Sequence, residues 1–251
     1  MKRESFFDVY AHEYDLMTDA ALREKNHVKE VQAIIDKFRP ARVLDAGCAT
    51  GLTTRLLAAE GVPAVGIDRS RKMIKLARGK AAGAKGNLAF QYGQFEQLPR
   101  KFVNKFDLVV CLANAISGVG TLGGLRKSLK SFREVLKPGG TLLIQMLNYL
   151  AVEEGVLMPV RTTVKDGLVY VRLTERRNRK YSLYVIRLDM NQKPVRTEPF
   201  RSDFDNFTVS EITDNLKKTG FVNIKKYVNL FLNKKFTKTC RDLVLTASKK
   251  A

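Results

Sequence analysis

Apolar residues recur at helical spacing between residues 28 and 38, where Val28, Val31, Ile34, Ile35 and Phe38 share one face. Tyr10, Tyr14, Leu16 and Met17 precede them and Pro40 closes the run, so residues 1–40 read as a mixed helical segment. From residue 41 the pattern alternates. Short apolar runs at 42–46, 64–68, 88–92, 106–112 and 141–147 predict strands. Between them, 51–60, 70–82 and 123–136 predict helices, with Gly61 closing the first and Ser70 as N-cap of the second. Lys137-Pro138-Gly139-Gly140 reads as the turn that launches the strand at 141–147. Strands alternating with helices of this length make βαβ units, hence an α/β fold with a doubly wound, mostly parallel sheet.

After residue 160 the character changes. Runs 168–174 and 181–188 are β-rich, and Glu175-Arg176-Arg177-Asn178-Arg179-Lys180 between them reads as a charged hairpin turn. A third extended piece, 195–207, contains Pro199. Thr208-Val209-Ser210-Glu211 then carries the signature of a helix start, and that helix ends at Thr219-Gly220. Strands at 221–230 and 241–247 finish the chain. The expected organisation is an N-terminal helical lid (1–40), a cofactor-binding α/β core (41–159), an antiparallel β insertion on the substrate side (160–205) and a C-terminal completion of the core (206–251).

Composition narrows the function classes. The 251 residues are 45% apolar and 28% charged, ordinary for a globular protein. No run approaches the roughly 20 apolar residues needed to span a bilayer. Acids near the start replace the apolar stretch of a signal peptide. Cys48, Cys111 and Cys240 are widely spaced and odd in number, which fits a reduced, cytoplasmic setting. His12 and His27 have no partner at ligand spacing, so no metal is expected. Net charge is the outlier at +20. It is spread along the chain: residues 1–150 carry 24 basic against 14 acidic side chains, and 151–251 carry 21 against 11. General basicity of this kind attracts polyanions without specifying one.

The chemistry concentrates at residues 43–51, Val-Leu-Asp-Ala-Gly-Cys-Ala-Thr-Gly, an apolar strand ending in an acid and followed by small residues. A second apolar run ends in Asp68, so both carboxylates belong at the carboxyl edge of the sheet, where a nucleoside-bearing cofactor binds. Dinucleotide spacing fails, because Gly47, Ala49 and Leu52 occupy the three glycine positions. The phosphate loop with its lysine is absent too.

Asp45, Gly47, Ala49 and Gly51 instead fit Asp-x-Gly-x-Gly-x-Gly with one alanine replacement, and this loop resembles motif I of class I S-adenosylmethionine-dependent methyltransferases, which have a Rossmann-like sheet. Gly93-Gln94-Phe95-Glu96-Gln97-Leu98-Pro99 resembles the family's segment beside the adenine, with Gln94 in place of an acid. Residues 106–112 resemble motif IV, and Leu136-Lys137-Pro138-Gly139-Gly140 the turn before the fifth strand. Leu112-Ala113-Asn114-Ala115 and Asn148-Tyr149, together with the β insertion, are similar to the glycine and sarcosine N-methyltransferase group.

That resemblance implies a cofactor set of Tyr14, Arg23, Asp45, Gly47, Cys48, Ala49, Asp68, Arg69, Gln94, Phe95 and Leu112. Within it Asp68 takes the ribose hydroxyls, Arg23 the methionine carboxylate, Asp45 the amino group and Leu112 a backbone contact. Tyr14 and Tyr10 close over the sulfonium, where cation–π attraction acts at short range. Asn114, Tyr14 and Tyr149 are the residues expected to position the acceptor. The group's arginine before Asn-Tyr, which holds a substrate carboxylate, is Leu147 here, which argues against glycine as substrate.

The resulting expectation is an enzyme that moves a methyl group from S-adenosylmethionine to a small molecule by in-line displacement, leaving S-adenosylhomocysteine. An amine nitrogen is one acceptor atom. An RNA or other nucleic-acid methyltransferase is the alternative that the charge raises. It is not favoured, because the fourth strand lacks the Asn/Asp-Pro-Pro-aromatic motif of nucleic-acid amino methylation. A cofactor-binding protein without turnover is a further alternative, motivated by Ala49 and Gln94. The acceptor's identity and the oligomeric state are open at this level.

Overall fold

The computed structural model describes residues 5–205 and 207–251. Two single helical turns come first, α1 (Phe6–Val9) and α2 (Tyr14–Met17), then the long helix α3 (Ala20–Phe38). The expected 1–40 segment is therefore broken before residue 20. Asp19 adopts a left-handed conformation (φ 54°), and its side chain accepts from the Leu22 amide as the N-cap of α3.

The alternating core follows: β1 (Val43–Ala46), α4 (Leu52–Ala59), β2 (Ala64–Asp68), α5 (Arg71–Ala81), β3 (Leu88–Tyr92), β4 (Phe106–Cys111), α6 (Leu122–Val135) and β5 (Leu136–Leu147). Ser70 caps α5 by accepting from the Met73 amide, as its position in the sequence implied. The 137–140 segment is no free turn. β5 begins at Leu136, and the glycines make a kink where its register with β4 shifts between Phe106 and Leu108.

The insertion holds four antiparallel strands rather than three: β6 (Leu157–Lys165), β7 (Leu168–Arg177), β8 (Lys180–Asp189) and β9 (Arg196–Asp205). β6 escaped the hydropathy pattern because it is an edge strand that pairs only with β7 and leaves most of its side chains exposed. Pro159 is tolerated there, at a bulge between positions 159 and 161. The six-residue charged turn shrinks to two residues, since β7 and β8 pair out to Arg177 and Lys180, and Asn178 supplies the positive φ of 51°. Pro199 lies in β9, the opposite edge.

Helix α7 (Val209–Lys218) and strands β10 (Phe221–Tyr227) and β11 (Asp242–Lys249) complete the chain. The main sheet runs β10-β11-β5-β4-β1-β2-β3, and β11 is the one strand that runs opposite to the other six. Both of its faces are covered. Along β4, Phe106, Val109 and Cys111 join the larger core with Phe132 of α6 and Leu216 of α7, whereas Leu108 and Val110 join a second core with Val31 and Ile34 of α3. This double burial explains the near-continuous apolar runs of the parallel strands. A third cluster ties the N-terminal turns to the antiparallel sheet through Phe6, Tyr10, Met17, Tyr170 and Val185.

The start of α7 offers a local check on stability. The Thr208 hydroxyl accepts from the Glu211 amide, and the Glu211 carboxylate accepts from the Thr208 amide at 2.9 Å. Thr208→Ala is expected to lower unfolding free energy by about 1 kcal/mol in urea titrations with an unchanged m-value.

Candidate active site

The loop after β1 is held by two short attachments to β2. The amides of Gly47 and Cys48 both donate to the Ile67 carbonyl, at 2.9 and 3.0 Å. The Asp68 carboxylate accepts from the Ala49 amide at 3.0 Å and from the Ser70 amide at 2.8 Å. Burial pushes the Asp68 pKa above the usual carboxylate range, opposed by these two amides and by Arg69. Gly47 has φ +85°, and a β-carbon there would sit 2.6 Å from Ala115 Cβ and 3.2 Å from Phe95 Cζ. The loop therefore presents bare backbone at that point.

Above this edge lies a cavity of about 450 Å³, within the range of small-molecule sites. Its floor is formed by Gly47, Ala49, Asp68, Leu112 and Asn114, and Gln94 and Phe95 lie on one wall. The N-terminal segment contributes Tyr14, Arg23 and Asn26, while the antiparallel sheet contributes Arg161, Arg172 and Leu183. Three separate stretches of sequence thus converge on one space.

Most of the expected residues are on this wall: Tyr14, Arg23, Gly47, Ala49, Asp68, Arg69, Gln94, Phe95, Leu112 and Asn114. Arg23 donates from Nη1 to Thr18 Oγ1 at 2.8 Å, and its guanidinium lies 5.7 Å from the centre of the Tyr14 ring. Arg69 crosses the cavity rim to donate to the Gly118 carbonyl at 2.7 Å. Phe95 is backed by Phe132, with ring centres 5.4 Å apart.

Four expectations are corrected. Asp45 does not reach the cavity: it is buried under the loop, where it accepts from Thr54 Oγ1 at 2.7 Å. Cys48 turns away as well, packing with Ile74, Ala77 and Phe90, and its amide is spent on Ile67. Burial pushes its thiol up, so it stays protonated. Tyr10 is enclosed between Phe6 and Phe200, at 5.4 and 5.6 Å between ring centres, and leaves the cavity to Tyr14. Tyr149 stands behind Asn114 instead of facing the acceptor. Asn114 Nδ2 donates to the Tyr149 hydroxyl at 2.7 Å, that hydroxyl contacts Ser117 Oγ at 2.8 Å, and Ser117 Oγ donates to Asn114 Oδ1 at 2.9 Å. The Leu147 amide also donates to Asn114 Oδ1, at 3.2 Å. Asn114 is thereby fixed in a left-handed conformation (φ 65°) at the end of β4. Burial raises the Tyr149 pKa to about 12, so its hydroxyl stays protonated at neutral pH.

Asn26, Arg161 and Arg172 were absent from the sequence-based set. Their signal is weak for Asn26, on a helix face that looks solvated. For Arg172 it is readable, because Tyr170, Arg172 and Thr174 alternate on one face of β7 and two of the three are apolar or buried.

The family model described as a methyltransferase domain matches residues 37–187. The chain belongs to that family, the class I S-adenosylmethionine-dependent methyltransferases. Among curated relatives, the glycine/sarcosine N-methyltransferase of Aphanothece halophytica is 32% identical over 115 residues, covering 45% of this chain and 43% of the relative. The glycine N-methyltransferase of Rattus norvegicus is 31% identical over 119 residues, 43% of this chain and 41% of the relative. These alignments span less than half the length of either relative. Among solved structures, an S-adenosylmethionine-bound amino pentose methyltransferase from Micromonospora echinaspora matches over 100% of both chains with a TM-score of 0.74 and 21% identity. An S-adenosylmethionine-dependent methyltransferase from Clostridium acetobutylicum matches over 98% of this chain and 100% of its own, with a TM-score of 0.75 and 20% identity. The fold of these structures is the fold described above.

Burial raises the Asp45 pKa from the ordinary 3.8 to about 6, against the Thr54 hydrogen bond. The folded form thus holds this proton more tightly than the unfolded chain, and stability falls as pH rises from about 4 to about 6. Asp45→Asn keeps an acceptor for Thr54 and removes the charge. It is expected to be more stable than the parent at pH 7 by up to roughly 3 kcal/mol, with the gap closing below about pH 4. Urea midpoints across that pH range check the sign.

Proposed function

We propose that this protein transfers the methyl group of S-adenosylmethionine to a small-molecule acceptor, with an amine nitrogen as the receiving atom. The observation that carries the reading is the convergence of Gly47, Asp68 and Arg23 on one cavity. Their chemistry fits the cofactor's three parts. Backbone without a side chain admits close approach at Gly47. A largely buried carboxylate at Asp68 suits vicinal hydroxyls, and a guanidinium at Arg23 suits a carboxylate. The relatives' names supply the acceptor class: glycine, sarcosine and an amino sugar are small amine-bearing molecules.

When bound, S-adenosylmethionine supplies a methyl group activated on a sulfonium. The chain's contribution is alignment and exclusion of water. Asp68 would hold the ribose and Arg23 the methionine carboxylate, with Phe95 and Gln94 beside the base and Tyr14 over the sulfonium. Asn114, locked by Tyr149 and Ser117, offers one amide hydrogen that these partners do not use. From the cavity floor that hydrogen would bind an oxygen of the acceptor, holding the molecule while its nitrogen lone pair stays free to attack the methyl group. None of these roles needs a strong base, provided the amine arrives unprotonated.

The cavity's enclosure between the N-terminal turns and the antiparallel sheet favours a small acceptor over a polymer, whatever the +20 charge attracts to the exterior. Isothermal titration with S-adenosylhomocysteine is the test. Saturable binding is expected, weakened about 10- to 100-fold in Asp68→Ala, the scale of one to three kcal/mol for losing charge-assisted hydrogen bonds. Absence of binding to the folded parent would falsify the reading.

A further inference from the structure

Arg161 and Arg172 are direct partners in the antiparallel ladder between β6 and β7, beside the bulge at Pro159. Both side chains line the cavity. Like charges placed opposite each other in a sheet repel, and here the two guanidinium groups share little compensation. Arg161 reaches Asp19 at 3.1 Å. Arg172 makes no hydrogen bond or ion pair among the described residues, and its Nε is buried without a partner. Arg23 adds a third guanidinium nearby, occupied by Thr18 and the Tyr14 ring. Asp68, Glu96 and Asp242 also line the cavity, but none of them makes an ion pair with Arg172 among the described residues. Burial lowers the Arg172 pKa; the nearby Tyr14 phenol opposes that, and the charges of Arg161 and Arg23 add to it. A guanidinium remains protonated even so.

An uncompensated cation held partly out of water is costly to keep. It is also pre-organised for an oxyanion, whose geometry matches its planar fork. Position 147, at the end of β5, carries leucine and offers no cation; the cavity's arginines are Arg161 and Arg172 of the inserted sheet, Arg23 of α3, Arg69 after β2 and Arg241 before β11. We propose that Arg172, assisted by Arg161, forms an oxyanion subsite in this cavity, and that the methyl acceptor is a small amine bearing a carboxylate or phosphate seated there. The inference rests on the methyltransferase reading, in which Arg23 serves the cofactor's own carboxylate and leaves Arg172 for the acceptor.

The test separates the two. S-adenosylhomocysteine is first titrated into the parent, Arg172→Gln and Arg172→Lys. Sarcosine, phosphoethanolamine and ethanolamine are then titrated into each saturated complex at constant ionic strength. Cofactor-product affinity is expected to change less than about twofold in either variant, since Arg172 does not touch it on this assignment. The parent should bind at least one oxyanion-bearing amine at least about tenfold more tightly than ethanolamine. Arg172→Gln should abolish that preference and Arg172→Lys retain part of it, because a point charge lacks the bidentate fork. Lys217→Gln, on the exposed face of α7, should keep the parental preference and so excludes a general effect of surface charge. The proposal is overturned if no probe prefers the parent over Arg172→Gln. It is overturned equally if Arg172→Gln weakens S-adenosylhomocysteine about tenfold while the probes are unaffected, for the guanidinium then belongs to the cofactor. Failure of the first titration in the parent strikes the methyltransferase reading itself.

Discussion

The geometry of the whole site hangs on one carboxylate at the end of β2. Asp68 accepts from Ala49 in the loop after β1 and from Ser70 at the start of α5. The two loops that border the cavity floor are thus fixed to each other through a single side chain. Ile67 completes the clamp by receiving both Gly47 and Cys48 amides on its carbonyl. Parallel strands cannot be joined by a tight turn, so their carboxyl ends would otherwise splay. A clamp of this kind leaves Gly47 as bare backbone, and the gap between Phe95 and Ala115 stays open. Ligand binding would substitute ribose hydroxyls into a charge field that already exists.

How far this was legible in the sequence depends on how many faces of each element are buried. Strands covered on both faces, such as Phe106–Cys111, announce themselves as unbroken apolar runs. β6 does not, because its side chains are mostly exposed and Pro159 interrupts it. The same logic divides the site. Asp68 and Gly47, which line the cavity, could be located because they stand at or just beyond strand ends, whereas Arg23 was singled out only through the family resemblance. Asp45 was placed at the right strand end but on the wrong side of the loop: β1 buries all four of its residues, and Thr54 captures the carboxylate from α4. Asn114 and Tyr149 were both expected to face the acceptor, but which of the two meets the cavity depends on packing across Ser117, 32 residues from Tyr149. Arg172 required knowing which face of β7 is inward, and alternation with Tyr170 and Thr174 carried that information.

Charge is used unevenly over the molecule. Although the chain is strongly basic, the short N-terminal segment carries Asp8, Glu13, Asp15 and Asp19, and each of these four is engaged on the scaffold. Asp8 accepts from Ser70 at 2.6 Å, Asp15 from Thr50 at 2.7 Å, and Asp15 also pairs with Lys80. Glu13 pairs with Arg187 at 3.0 Å and accepts from the Tyr170 hydroxyl at 2.5 Å. Glu13 and Arg187 are both mostly shielded from solvent, which makes this the least screened of the attachments. The segment is therefore seated by complementary charge as well as by the aromatic cluster beneath it.

Those attachments also set an order of events. Glu13 meets a partner 174 positions further along the chain, and Asp19 one 142 positions away. Contacts at such separations form late, because loop closure must be achieved before they contribute. Asp8 and Asp15 have partners between positions 50 and 80, whereas Glu13 can be paired only after β8 has been made. The cavity wall therefore joins residues from both ends of that separation, and it is complete only once the inserted sheet meets the N-terminal segment.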